Sequence, residues 1–115
     1  MKTWKVNYYA DRSGYQPVRE WIDGLDVKLQ VKIFRSFTLL EEFNIMLREP
    51  YVKPLGEKLY ELRVKDHKGI YRIIYFSHIE RQFIMLHGFV KKTDKTPKKE
   101  IMLAKKREND GSFGS

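Results

Sequence analysis

The sequence predicts an α+β fold: two N-terminal helices packed on a twisted, mainly antiparallel sheet, with a C-terminal helix. Three observations lead there. The first half carries an apolar stripe at helical spacing, the middle holds three strand-like runs joined by turns too short for a crossover helix, and the end is a lysine-rich segment opened by Thr96-Pro97. At 115 residues, 42% of them hydrophobic, the chain suits one core, so a single domain over residues 1–107 is expected.

Each element has a local reason. Trp4-Lys5-Val6-Asn7-Tyr8-Tyr9 alternates large and polar residues at period two, as a half-buried strand does, and Ala10 to Gly14 supplies turn chemistry. Pro17 suits a first helical turn, and Val18, Trp21 and Ile22 recur at helical spacing until Gly24. Asp26 caps a longer helix whose stripe is Leu29, Ile33, Phe37 and Leu40, reaching about Asn44. Periodicity then fails, and Pro50 and Pro54 point to a surface connection from Ile45 to Gly56 that carries Arg48 and Lys53. Leu59–Val64, Ile70–Phe76 and Gln82–His87 read as a meander whose last two strands are apolar enough to be covered on both faces. Helices on one face leave a partly covered face where Arg63 and Arg72 reach a ligand. Thr96-Pro97 caps and starts a terminal helix to about Arg107, with Ile101 and Ala104 inward. Residues 108–115 read as a flexible tail, its Gly-Ser-Phe-Gly-Ser end resembling an expression remnant.

Composition narrows the function. The 23 Lys+Arg against 15 Asp+Glu give +8, a positive field whose natural partners are polyanions, nucleic acid first. With no cysteine there is neither a disulfide framework nor a thiolate zinc site. No run of about 18 apolar residues occurs and Met1–Lys5 lacks the core of a signal peptide, so a cytoplasmic protein with no membrane partner is expected.

The charge is concentrated. Between Val90 and Arg107, eight cations stand against Asp94 and Glu100, a net +6 of the total +8. Lys91, Lys92, Lys95, Lys98 and Lys99 there, with Lys53, form a phosphate-binding surface or, on the plainer reading, a solvated helix face. Arg63 and Arg72 say more, because each interrupts an otherwise apolar strand where an unpaired guanidinium is costly. For Arg63 the sequence favours an ion pair with Glu61 or Asp66. Arg72 has no neighbouring acid, which favours function. His87 precedes the lysine cluster and is a candidate for proton transfer, against the plainer reading of a satisfied, half-buried ring. Tyr60, Tyr71 and Tyr75 are base-stacking candidates that read more simply as core and rim aromatics. No metal site assembles from His67, His78 and His87, and no phosphate-cradling glycine loop is present, so neither metal nor cofactor is expected. RNA brings its own nucleophile: its 2′-hydroxyl attacks the adjacent phosphate once bent into line, and cations stabilise the developing charge.

Together, Lys53-Pro54-Leu55, Leu59-Tyr60-Glu61-Leu62-Arg63, Ile70-Tyr71-Arg72-Ile73-Ile74-Tyr75 and Leu86-His87-Gly88-Phe89-Val90-Lys91-Lys92-Thr93 followed by Thr96-Pro97 form a recognisable order. From Trp4 to Arg107 the chain resembles a HigB-type toxin of the phage-derived Gp49-like branch of the RelE/ParE superfamily. That resemblance implies a ribosome-dependent mRNA endoribonuclease, or mRNA interferase. Such a toxin inhibits translation and is neutralised by a HigA-like helix-turn-helix antitoxin. It implies a catalytic set of Arg72, Arg63, Lys91 and Lys92, with Arg72 on the scissile phosphate. Glu61 stands where some better-known relatives carry a basic residue. The alternatives are a ParE-like toxin acting on gyrase and a noncatalytic RNA- or ribosome-binding module.

Overall fold

Pro17 at the first helical position, an Asp26 carboxylate accepting from the Leu29 amide at 3.0 Å and a run of alternating strands set the local structure. The computed structural model describes residues 3–78 and 80–110. Its elements are β1 (Lys5–Tyr8), α1 (Pro17–Asp23), α2 (Val27–Phe43), a 3-10 turn (Asn44–Met46), β2 (Val52–Gly56), β3 (Leu59–Asp66), β4 (Gly69–His78), β5 (Gln82–Lys91) and α3 (Lys98–Asp110). The five strands form one mixed sheet in the order β1-β5-β4-β3-β2, antiparallel except where β1 runs parallel to β5. The α+β class and the C-terminal helix agree with the sequence reading.

Two buried clusters lie on the sheet. One joins Val18 and Ile22 of α1, the α2 stripe Leu29, Ile33, Phe37 and Leu40, and strand residues such as Leu62, Ile73 and Met85. The other joins Ala104 of α3 to Leu59, Ile74, Ile84, Leu86 and Phe89. Successive strand residues point to opposite faces, so the apolar runs of β4 and β5 feed both clusters at once.

Four expectations need correction. Residues 45–56 are not simply a surface connection, because they include the 3-10 turn and β2. Pro54 is tolerated there since β2 is an edge strand, with one side free of ladder hydrogen bonds. Lys91 lies inside β5 rather than after it. The terminal helix passes Arg107 to Asp110, where the Tyr9 hydroxyl donates to the Asp110 carboxylate at 2.6 Å. Residues 108–110 are therefore helical, while the rest of the expected tail, 111–115, lies outside the described residues.

Gly88 shows how tightly α1 meets the sheet. A Cβ built on Gly88 would overlap the Trp21 ring, so only glycine lets β5 pass beneath that indole. Gly88→Ala is expected to destabilise the protein by about 1–3 kcal/mol through overpacking, measured by denaturant unfolding. A change below a few tenths of a kcal/mol would show that Trp21 moves aside freely.

Candidate functional site

Cross-strand pairing arranges the side chains on the α3 face in rows. Lys53 of β2 stands opposite Glu61 of β3, which faces Ile74 of β4, which faces His87 of β5. The next row holds Arg63, Arg72 and Phe89. His87 and Phe89 belong here only because of a bulge: His87 pairs with Ile74 and Met85 with Tyr75, leaving Leu86 as the extra residue. The extra residue reverses the alternation, so side chains beyond it turn to the α3 face.

Glu61 is fully buried and anchors the site. Its carboxylate accepts from Arg63 Nε at 2.7 Å and from Thr96 Oγ1 at 2.5 Å. Thr96 was expected to cap α3. Its hydroxyl is instead spent on Glu61, and the first turn of α3 closes on the Pro97 carbonyl. The rest of the Arg63 fork holds Asp94: Nη1 donates to its carboxylate at 2.7 Å and Nη2 to its backbone carbonyl at 2.6 Å. Lys53 Nζ lies 3.8 Å from the same carboxylate. The Arg63 hydrogen bond and charge, with Lys53, hold the Asp94 carboxyl below the usual carboxylate range. Burial works against the Arg63 charge, but Glu61 and Asp94 outweigh it and raise its pKa.

Arg72, next to Arg63 in the row, differs. It is 0% exposed, and none of its three side-chain nitrogens has a hydrogen-bond partner among the described residues. Its guanidinium carbon sits 5.8 Å from the Phe89 ring centroid. Burial lowers its pKa, opposed by the Glu61 charge and reinforced by Arg63. The face expected to be partly covered is closed at Arg72, and the segment from β5 to α3 reaches across to bond β3.

The remaining candidates lie around this centre. Lys91 ends β5 and, two residues after Phe89, falls on the same face; Lys92, Lys95, Lys98 and Lys99 are exposed on the connecting segment and the first turn of α3. A cleft of about 240 Å³ is lined by Glu49, Pro50, Lys53, Arg63, Lys65 and Asp94. Lys65, Asp94 and Thr96 were missing from the sequence-derived set. Lys65 was findable, since it follows Arg63 at period two on β3. A larger cleft of about 530 Å³, lined by Leu47, Arg48, Tyr60, Tyr75 and Phe83 among others, includes residues of the other buried cluster and lacks the arginine row. Tyr71 and Tyr75 are buried in that cluster, and Tyr60 stacks on Tyr75.

His87 is engaged within the chain. Nε2 lies 2.7 Å from Glu100 Oε1, and Nδ1 lies 3.4 Å from Arg107 Nη1, which also donates to the Leu86 carbonyl at 2.8 Å. A neutral ring donating Nε2–H to Glu100 and offering Nδ1 to Arg107 satisfies both contacts and ties α3 to β5. Burial, helped by Arg107, pushes its pKa below 6.5 despite Glu100. The native state therefore resists protonating His87, and the associated stability is present above pH 6.5 and lost as pH falls to the lowered native value. Melting temperatures from pH 7.5 down to 5 should consequently fall less for His87→Gln than for the wild type. Parallel profiles would rule out His87 as the source.

Among the described residues, no cluster of three or more His, Asp or Glu side chains is placed to hold a metal ion, and no helix is long and apolar enough to cross a membrane. Residues 20–109 match the family model described as phage derived protein Gp49-like (DUF891), a span from α1 into α3 that contains the arginine row and Lys53, Lys65, Lys91, Lys92, Lys95, Lys98 and Lys99. No curated protein matches the chain. The chain belongs to this phage-derived Gp49-like family, which is part of the RelE/ParE-like toxin group.

Proposed function

We propose that this protein is a HigB-type toxin of a type II toxin-antitoxin system, a ribosome-dependent mRNA endoribonuclease acting in the cytoplasm. The observation that carries the reading is Arg72. A fully buried guanidinium with no hydrogen-bond partner is costly to the fold, and a planar fork of that kind matches a phosphate. Cations outnumber acids around it: Arg63 stands beside it in the row, Lys53 and Lys65 line the adjoining cleft and Lys91 ends β5, while Glu61 and Asp94 are both bonded to Arg63. Membership of a toxin group supplies the biological setting.

In this reading the ribosome and the basic surface bend the messenger so that a 2′-hydroxyl lies in line with its own phosphate. The 2′-oxygen bonds to phosphorus as its proton passes to water, the bond to the 5′-oxygen breaks as that oxygen takes a proton from water, and a 2′,3′-cyclic phosphate and a 5′-hydroxyl end result. Arg72 binds the scissile phosphate and stabilises the charge that grows on it in the transition state. Arg63, Lys91 and Lys92 hold or neutralise neighbouring phosphates, and Lys53, Lys95, Lys98 and Lys99 extend the contact to RNA or ribosome. His87 enters no step, since both ring nitrogens already have partners. A HigA-like helix-turn-helix antitoxin is the proposed inhibitor.

Primer extension on an mRNA mixed with purified protein, with and without programmed ribosomes, tests this. Discrete new 5′ ends that require ribosomes are expected. Absence of cuts in both arms with folded protein would overturn the nuclease reading and favour a gyrase-directed toxin or passive RNA binding.

A further inference from the structure

The segment between β5 and α3, residues 92–97, has a defined path. It leaves β5, and its Asp94 is bonded to Arg63 of β3 and close to Lys53 of β2, while Thr96 is bonded to Glu61 of β3. Because β4 lies between β5 and β3, this strap must cross β4. The β4 residue standing between Phe89 and Arg63 on that face is Arg72. Closure over Arg72 and the position of Asp94 therefore share one cause.

The anchors differ in character. Thr96 is buried and its bond to Glu61 is internal. The Asp94 side chain is 78% exposed, yet it takes one arm of the Arg63 fork and the nearby Lys53 charge. The Asp94 carboxylate and backbone carbonyl together take both Nη groups of Arg63, with Lys53 nearby, and two oxygens set against a guanidinium and an ammonium are the arrangement a phosphodiester would offer. An exposed carboxylate pays a small penalty on returning to water, so an incoming phosphate can displace it.

We propose that Asp94 is an internal stand-in for an RNA phosphate: its carboxylate occupies the Arg63–Lys53 site and latches the 92–97 strap over Arg72, and a phosphodiester arriving at that site releases the latch. This inference rests on the reading of Arg72 as a phosphate ligand and adds how access to it is controlled. In the free protein the guanidinium is shielded. Binding of the flanking phosphate comes first, and exposure of Arg72 follows, so a nucleic acid that fails to seat on Arg63 and Lys53 never reaches it.

The test uses the full chain and a short all-2′-deoxy oligonucleotide, which binds phosphate sites but has no 2′-hydroxyl to react. Asp94→Ala and Asp94→Asn are compared with wild type and with Glu42→Ala, which removes an exposed acid from α2 and so controls for the change in net charge. Fluorescence anisotropy should show about tenfold tighter binding for both Asp94 variants than for Glu42→Ala. Peptide mass spectrometry after phenylglyoxal treatment should show Arg72 protected in wild type and Glu42→Ala but modified in the Asp94 variants. Thermal melting of each variant confirms that it is folded. Equal affinity for the Asp94 and Glu42 variants, together with an Arg72 that stays unreactive in all of them, would overturn the latch. Neither readout depends on cleavage, so a protein that cuts no messenger would refute the nuclease reading while these results still decide the latch.

Discussion

Replacing Glu61 by leucine should lower stability by about 3–5 kcal/mol, a loss of roughly 10–20 °C in melting temperature. Glu61 is fully buried, and the side chain of its partner Arg63 is 9% exposed. Removing the carboxylate strands the Arg63 Nε–H and the Thr96 hydroxyl. It also takes away the buried anion whose charge favours the Arg72 cation, leaving two guanidinium groups side by side on β3 and β4. Leucine has a suitable volume but answers none of these groups, and an uncompensated buried charge is far costlier than a lost contact. Glu61→Gln keeps the shape and one acceptor oxygen and should lose clearly less. A leucine variant within 1 kcal/mol of wild type by denaturant unfolding would mean that water reaches both arginines.

Arg72→Met should act in the opposite direction on stability. Methionine retains much of the side-chain volume, removes three buried nitrogens without hydrogen bonds and leaves Glu61 paired with Arg63 and Thr96. A gain of about 1–3 kcal/mol is expected, read as a rise of several degrees in melting temperature. Cleavage should fall by about 100- to 1,000-fold, the scale associated with losing one preorganised donor at a developing negative charge. The conjunction is informative. An arginine whose removal strengthens the fold and abolishes the chemistry is kept for the chemistry, whereas a loss of stability would place Arg72 among the structural residues.

The residues that carried the sequence reading were those with local consequences. Pro17, Gly24 and the Asp26 cap fixed the limits of α1 and α2, and the Leu29-Ile33-Phe37-Leu40 stripe is the buried face of α2. Glu61 and Arg63, two apart on one strand, share a face, so their pairing was readable; the absence of an acid beside Arg72 was readable for the same reason. What escaped depends on contacts distant in sequence. Asp94 meets Arg63 across 31 residues, and the parallel pairing of β1 with β5 joins residues 77 apart, Lys5 with Gln82 through Tyr8 with Met85. The bulge at Leu86 reverses the alternation on which the facing of His87, Phe89 and Lys91 depends, and no pattern of residue types announces it. β2 was hidden by Pro54, which breaks a strand in a sheet interior but not at an edge.

In the proposed function, Arg72 acts on the scissile phosphate of ribosome-bound messenger. The most direct test of that role is quantitative mapping of mRNA 5′ ends on programmed ribosomes with wild type and Arg72→Met side by side, with ribosome binding of both measured by co-sedimentation. Discrete ends are expected with wild type and their loss by orders of magnitude with Arg72→Met, while ribosome binding stays within a few-fold. Cutting that persists in the variant, or a loss that merely tracks weaker ribosome binding, would contradict that role.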